Sequence, residues 1–178
     1  MKLIILDRDG VINQDSKAYI KSPDEWIPIP GSLQAIAYLN QSGFRVVIAT
    51  NQSGLARGLF DIDTLNAIHR KMQQELSKIG GHIDGIFFCP HGPEAQCLCR
   101  KPQPGMLIQA SQRFLCEAST ILCIGDSLRD IEAAERFGAR SALVLTGNGV
   151  ATREAIQHKK NIAVYNDLAA AVQGLLNG

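Results

Sequence analysis

A chain of 178 residues, 46% of them apolar, can bury one sizeable core and is too short for two domains of ordinary size. Eighteen Lys and Arg against 17 Asp and Glu leave a net charge of +1, which excludes the long-range field that gathers nucleic acid or an anionic membrane, so any anion binding is local. No apolar run approaches the about 20 residues that span a bilayer, and the opening Met1–Leu6 runs straight into charge at Asp7, so neither leader nor anchor is expected and the chain is placed in the cytoplasm.

Taken in chain order, Leu3–Leu6 is a short apolar run without alternation, the mark of a strand buried on both faces. The Pro-rich stretch 23–31 reads as a surface loop leading into a helix over about 31–42, and Val46–Ala49 as a second strand. Leu65, Ile68, Met72, Leu76 and Ile79 share one helical stripe, with Asp61 or Asp63 as cap and Gly80-Gly81 as stop. Ile83–Phe88 is a third strand. Further helices are expected over 105–116, 128–137, 150–158 and 167–176, with strands at Ile121–Ile124 and Ala142–Leu145 between them. Strand and helix alternate, which predicts an α/β, doubly wound (Rossmann-like) parallel sheet in a single domain spanning 1–178, with no inserted cap domain.

In such sheets the site lies beyond the carboxyl ends of the strands. The first predicted strand ends in Asp7-Arg8-Asp9-Gly10, the second in Thr50-Asn51-Gln52-Ser53-Gly54 and the fourth in Gly125-Asp126-Ser127. Two carboxylates two residues apart can share one cavity when Gly10 lets the chain turn, so that one attacks while the other moves protons. Thr50 and Asn51 offer a hydroxyl and an amide to phosphate oxygens, with Gln52 and Ser53 beside them as further substrate contacts. Lys101 can neutralise a phosphate, and the Arg100 guanidinium can hold a second one. Asp130 stands one helical turn beyond Asp126. Each element has an ordinary structural account: a DxDG turn, a Thr-Asn turn, an exposed Arg-Lys pair, an Asp that caps a helix. Their order along one chain is what a purely structural account does not explain.

Three of the five cysteines crowd into the loop 89–99, where Cys89-x-His91 and Cys97-x-Cys99 supply three thiolates and an imidazole. That set closes a tetrahedral structural zinc site, whose task would be to stiffen the loop carrying Arg100 and Lys101. Cys116 and Cys123 fall in apolar patterns and read as core residues. His69 and His82 have no partner legible in the sequence.

The ordered set of Asp7 and Asp9, Thr50, Lys101, and Asp126 with Asp130 resembles the haloacid dehalogenase-like phosphatases, over residues 1 to about 148. Within that family the segment Thr50–Gly58, with its Asn-Gln-Ser-Gly-Leu-Ala-Arg-Gly run, the cysteine loop and Thr146-Gly147 are similar to the branch that removes the 7-phosphate of a heptose 1,7-bisphosphate on the way to nucleotide-activated heptose and lipopolysaccharide. Histidinol-phosphate phosphatases share the DRDG and the zinc loop, and the five-residue gap between His91 and Cys97 is similar to theirs, though they lack the Ala-Arg-Gly segment. The resemblance implies Asp7 as nucleophile, Asp9 as general acid and base, Thr50 and Lys101 as phosphoryl stabilisers, and Mg²⁺ at Asp7, the Asp9 main-chain carbonyl and Asp126, with Asp130 in support. Hard oxygen donors fit Mg²⁺ better than zinc at that position. Asp15 is assigned to sugar hydroxyls, and Arg57 with Arg100 to the rest of a small phosphorylated sugar. A receiver-type phospho-acceptor domain uses similar acids but does not turn over, and Asp9 speaks against it. A monomer is the default expectation, with no nucleic-acid or membrane partner.

Overall fold

The computed structural model describes residues 2–159 and 161–177. Six strands, β1 (Lys2–Leu6), β2 (Phe44–Asn51), β3 (Gly85–Cys89), β4 (Leu122–Gly125), β5 (Arg140–Val144) and β6 (Ala163–Tyr165), form one sheet in the order β3-β2-β1-β4-β5-β6, with every pairing parallel. The helices are α1 (Ser32–Gln41), α2 (Ile62–Ser77), α3 (Gly105–Phe114), α4 (Leu128–Phe137), α5 (Gly149–Ala155) and α6 (Leu168–Asn177). The expected α/β doubly wound architecture is therefore the observed one, and among the described residues no inserted domain stands between strands.

Pleating explains how an unbroken apolar run serves two cores. Ile4 and Leu6 of β1 face one side with Val46, Ile48 and Ile124, where α1, α2 and α6 cover them. Leu3 and Ile5 face the other with Val47, Ala49 and Cys123, under α3 and α4. No helix among the described residues is long and apolar enough to cross a membrane.

Three local expectations change. The stretch 23–31 is not simply a surface loop: it opens with a 3₁₀ turn at Pro23–Glu25, and Trp26 behind it is fully buried. Lys71 of α2 fastens it, donating from Nζ to the Pro23 carbonyl at 2.7 Å and the Trp26 carbonyl at 3.0 Å. In α2, Asp61 is the N-cap, accepting from the Thr64 N–H at 2.8 Å, and Leu65, Ile68, Met72 and Leu76 are buried as the stripe predicts. Ile79 lies past the helix end and is exposed, because the chain turns at Gly80 with φ +75°. The sixth strand was not foreseen. Ala163-Val164-Tyr165 is three residues long and lies at the sheet edge, half out of the core, so it carries neither length nor hydrophobic contrast.

Candidate active site

The strand order reverses between β1 and β4, and the residues that follow these two strands are Asp7 and Asp126. The register of β1 brings the strand ends level: Leu6 pairs with Ile48 on one side and Ile124 on the other, and the Asp7 N–H continues the ladder to the Ile124 carbonyl at 3.0 Å. Asp7, Asp9, Asp15, Thr50, Asn51, Gln52, Ser53, Arg57, Arg100, Lys101 and Asp126 all line one cleft of about 240 Å³. A larger hollow of about 730 Å³ lies between β4–β6 and their helices, around Ile131, Ala142 and Leu175, with Glu135, Arg140, His158 and Lys159 in its lining and none of the strand-end acids.

Lys101 is the hub of the floor. Its buried Nζ donates to Asp130 Oδ1 at 2.6 Å and to the Ala49 carbonyl at 2.7 Å, and pairs with Asp7 Oδ1 at 3.1 Å. Burial would lower its pKa, but Asp130 and Asp7 outweigh that and hold it well above the usual range. For Asp130 burial acts upward, and Lys101 together with the Ser127 donors outweighs it, leaving the carboxyl below its ordinary value. Asp130 Oδ2 also accepts from the N–H and Oγ of Ser127, the N-cap of α4, at 3.0 and 2.7 Å. Asn51 turns out to be a clamp on this hub: its Nδ2 donates to the Lys101 carbonyl at 3.1 Å and its Oδ1 accepts from the Lys101 N–H at 3.0 Å.

Asp7, Asp126 and Asp130 each present an oxygen within 4.8 Å of the others. Burial pushes Asp7 well up despite Lys101, with Asp130, Asp126 and Asp9 adding to the rise. Asp126 is pushed up to about 6, by burial and then by Asp130. The buried carboxylates of Asp126 and Asp130 and the half-buried one of Asp7, around one ammonium, carry a net −2 when ionised, −3 and +1, an imbalance that a divalent cation with oxygen ligands removes. Asp126 is seated for it. Its Oδ2 accepts from the Asn148 N–H at 2.8 Å, and a Cβ on either Gly10 or Gly147 would collide with the carboxylate. The Asp9 carboxylate points elsewhere, into contacts with Arg8, Asn13 and Gln52, so only its main chain is left for a cation.

The rim carries Arg57, Arg100 and two residues that the sequence did not single out, Tyr19 and Arg129. The Arg57 guanidinium lies 6.0 Å from the Tyr19 ring centroid, and Tyr19 holds φ 68°, an unusual conformation for a non-glycine residue. Asn148, also unforeseen, donates from Nδ2 to Asp15 Oδ2 at 3.2 Å and so ties the first loop to the Asp126 side. A signal for Arg129 existed: it follows the Gly-Asp pair on the first turn of α4.

Cys89, His91, Cys97 and Cys99 do converge. Cys89 Sγ and Cys99 Sγ each lie 3.1–3.6 Å from the other three donors, close to the about 3.8 Å edge of a tetrahedron with Zn–S bonds of about 2.3 Å, and Cys89, Cys97 and Cys99 are in no disulfide. The donor set therefore fits zinc with no open position. Gly105, opening α3, packs so closely on the Leu98 carbonyl that a Cβ would overlap it, and Arg100 Nη1 donates to the His91 carbonyl at 3.2 Å. Cys116 and Cys123 are buried as expected.

Known proteins agree with this geometry. Residues 98–171 match the HAD-hydrolase-like family model. The chain is 56% identical to a D-glycero-beta-D-manno-heptose-1,7-bisphosphate 7-phosphatase of Bordetella bronchiseptica, over 99% of this chain and 98% of that one. The crystal structure of the B. bronchiseptica D,D-heptose 1,7-bisphosphate phosphatase complexed with magnesium and phosphate superposes with a TM-score of 0.97 at 56% identity, covering 99% of both chains. That of the enzyme from Burkholderia thailandensis does so with 0.80 at 44% identity over the whole of both. With a strand-end acid pair, a Lys hub and this degree of likeness over its length, the chain belongs to the D-glycero-beta-D-manno-heptose-1,7-bisphosphate 7-phosphatase family of haloacid dehalogenase-like hydrolases.

Proposed function

We propose that this chain is a magnesium-dependent phosphoric monoester hydrolase that removes the 7-phosphate of D-glycero-D-manno-heptose 1,7-bisphosphate, leaving heptose 1-phosphate for nucleotide-activated heptose and the lipopolysaccharide core. In this reading it works in the cytoplasm as one domain, 1–178, braced by the zinc loop 89–99. The observation that carries it is the placement of Asp7 at the sheet's switch point, paired at 3.1 Å with Lys101 and facing Asp126 in a small polar cleft.

Asp7 attacks the phosphorus in line and becomes the aspartyl-phosphate, while Asp9 delivers a proton to the departing sugar oxygen and then takes one from the hydrolytic water. Thr50 and Lys101 hold the transferred oxygens, where positioning and charge account for most of the catalysis. Asp7, Asp126 and the Asp9 main-chain carbonyl would hold a magnesium ion, which would supply the neutralisation that lets a carboxylate approach a phosphate dianion. Arg57, Arg100 and Arg129 receive the second phosphate, which the net charge of +1 would not attract. Asp15, with Asn148, meets sugar hydroxyls. The substrate is small because loops alone roof the cleft.

Phosphate release from heptose 1,7-bisphosphate and from histidinol phosphate tests the reading in the Mg²⁺- and Zn²⁺-loaded protein. Many turnovers are expected, with kcat/KM for the heptose ester higher by about a hundredfold or more. A preference for histidinol phosphate refutes the substrate, and release of only one phosphate per chain refutes turnover.

A further inference from the structure

Arg8 lies wholly inside the protein, 0% exposed, between the two acids of the first strand end. A guanidinium so placed needs its donors engaged. Nε donates to Asp9 Oδ1 and Nη2 to Asp9 Oδ2, both at 3.1 Å, and Nη1 lies 3.0 Å from His69 Nε2. His69 comes from the middle of α2, 61 residues further along, and is buried. Arginine has no lone pair to offer, so Nε2 is the acceptor and the ring is neutral with its proton on Nδ1. Burial and then Arg8 lower the imidazole to about 3, which agrees.

The fork leaves two further acceptor directions on Asp9. Asn13 Nδ2, fully buried, donates to Oδ1 at 2.9 Å; Gln52 Nε2, at the cleft, donates to Oδ2 at 3.0 Å. A carboxylate has about four lone-pair sites, so all are in use and a proton can pass only when one donor withdraws. Gln52 is the donor on the cleft side, and Thr50 Oγ1, 2.9 Å from the same Nε2, is there to keep its amide.

We infer that Arg8, fixed in turn by His69, is a positioning residue for proton transfer: its fork holds the plane of the Asp9 carboxylate while Gln52 yields the cleft-facing Oδ2 position to the leaving oxygen and later to water. The inference rests on the role proposed above for Asp9. Losing the His69 contact leaves the guanidinium charged but removes one of its three anchors, so Asp9 is free to rotate away from the departing oxygen. In kcat/KM, which reports the transfer to Asp7 and not the later hydrolysis, that misplacement counts only where a proton must be delivered. A sugar oxygen leaves poorly without one, whereas p-nitrophenolate leaves as the anion.

The test measures kcat/KM for heptose 1,7-bisphosphate and for p-nitrophenyl phosphate in the metal-loaded wild type, His69→Leu, His69→Gln and Arg8→Lys, with circular dichroism to establish folding. His69→Leu and Arg8→Lys are expected to lose about 10–100-fold on the sugar phosphate and less than about threefold on the aryl phosphate; His69→Gln, whose amide oxygen can accept from Nη1, stays within about threefold of wild type on both. Equal losses on the two esters, or none, in folded variants overturn the inference. Should Arg8→Lys not fold, the His69→Leu and His69→Gln pair decides alone. A wild type that turns over neither ester defeats the function reading itself, whereas an active wild type with equal losses in His69→Leu defeats only the positioning role.

Discussion

Replacing Lys101 by methionine keeps the length of the side chain and removes the one cation shared by Asp7 and Asp130. At an effective dielectric of about 20 the gross Coulomb attraction is about 6 kcal/mol for the 2.6 Å contact to Asp130 and about 5 kcal/mol for the 3.1 Å contact to Asp7, most of it offset by desolvation of the charges. What an experiment registers is the penalty of leaving buried partners unpaired, about 3–5 kcal/mol. Asp7, Asp126 and Asp130 would then face one another without compensation, and Mg²⁺ is the natural substitute. Urea unfolding near neutral pH in EDTA should show the 3–5 kcal/mol loss, and saturating Mg²⁺ should recover part of it. Turnover should still fall by about a hundredfold or more, because the ion does not replace the ammonium that the proposed mechanism sets against the transferred oxygens. A variant within about 0.5 kcal/mol of wild type in EDTA, or one retaining most of its activity, would refute the reasoning.

Asp126, at about 6 against an ordinary 3.8, contributes stability that is complete below about pH 4 and lost as pH rises through about 6, worth about 3 kcal/mol for a rise of about two units. Asp130, lowered, acts oppositely and loses its contribution as pH falls. The gap between melting temperatures in Mg²⁺ and in EDTA should therefore widen from pH 4 to above 6, and a constant gap would contradict the cation site. Gly147→Ala puts a methyl group against Asp126 and Gly10 at φ +55°, so it should cost about 1–3 kcal/mol and weaken the Mg²⁺-induced rise in melting temperature. Purified protein should contain one zinc per chain by elemental analysis, and Cys99→Ser should lose it together with about 10–100-fold of activity as Arg100 and Lys101 lose their brace; a zinc-free variant of full activity would make the brace irrelevant.

The parts of this molecule that follow from short-range chemistry were legible in the chain. Leu3–Leu6 and Ile121–Ile124 had to be strands buried on both faces, and parallel order then brings Asp7 and Asp126 to the same end of the sheet. The donor set that fits zinc was readable because its four members fall within one loop. Harder to see were features whose partners are remote. Arg8 looks like a surface charge until His69 arrives from α2, and Trp26 looks like part of a loop until Lys71 and α2 close over it. Asn51 carries the hydrogen-bonding groups of a ligand contact, yet its amide is used to hold Lys101, a pairing across 50 residues that no local pattern announces.

The nucleophile is tested most directly by stopping the reaction in acid during turnover of heptose 1,7-bisphosphate and locating phosphate by peptide mass spectrometry. A phosphate carried on Asp7, absent in a folded and inactive Asp7→Asn variant, is the predicted result. An Asp7→Asn enzyme that still turns over, or a phosphate found only on another residue, would contradict it.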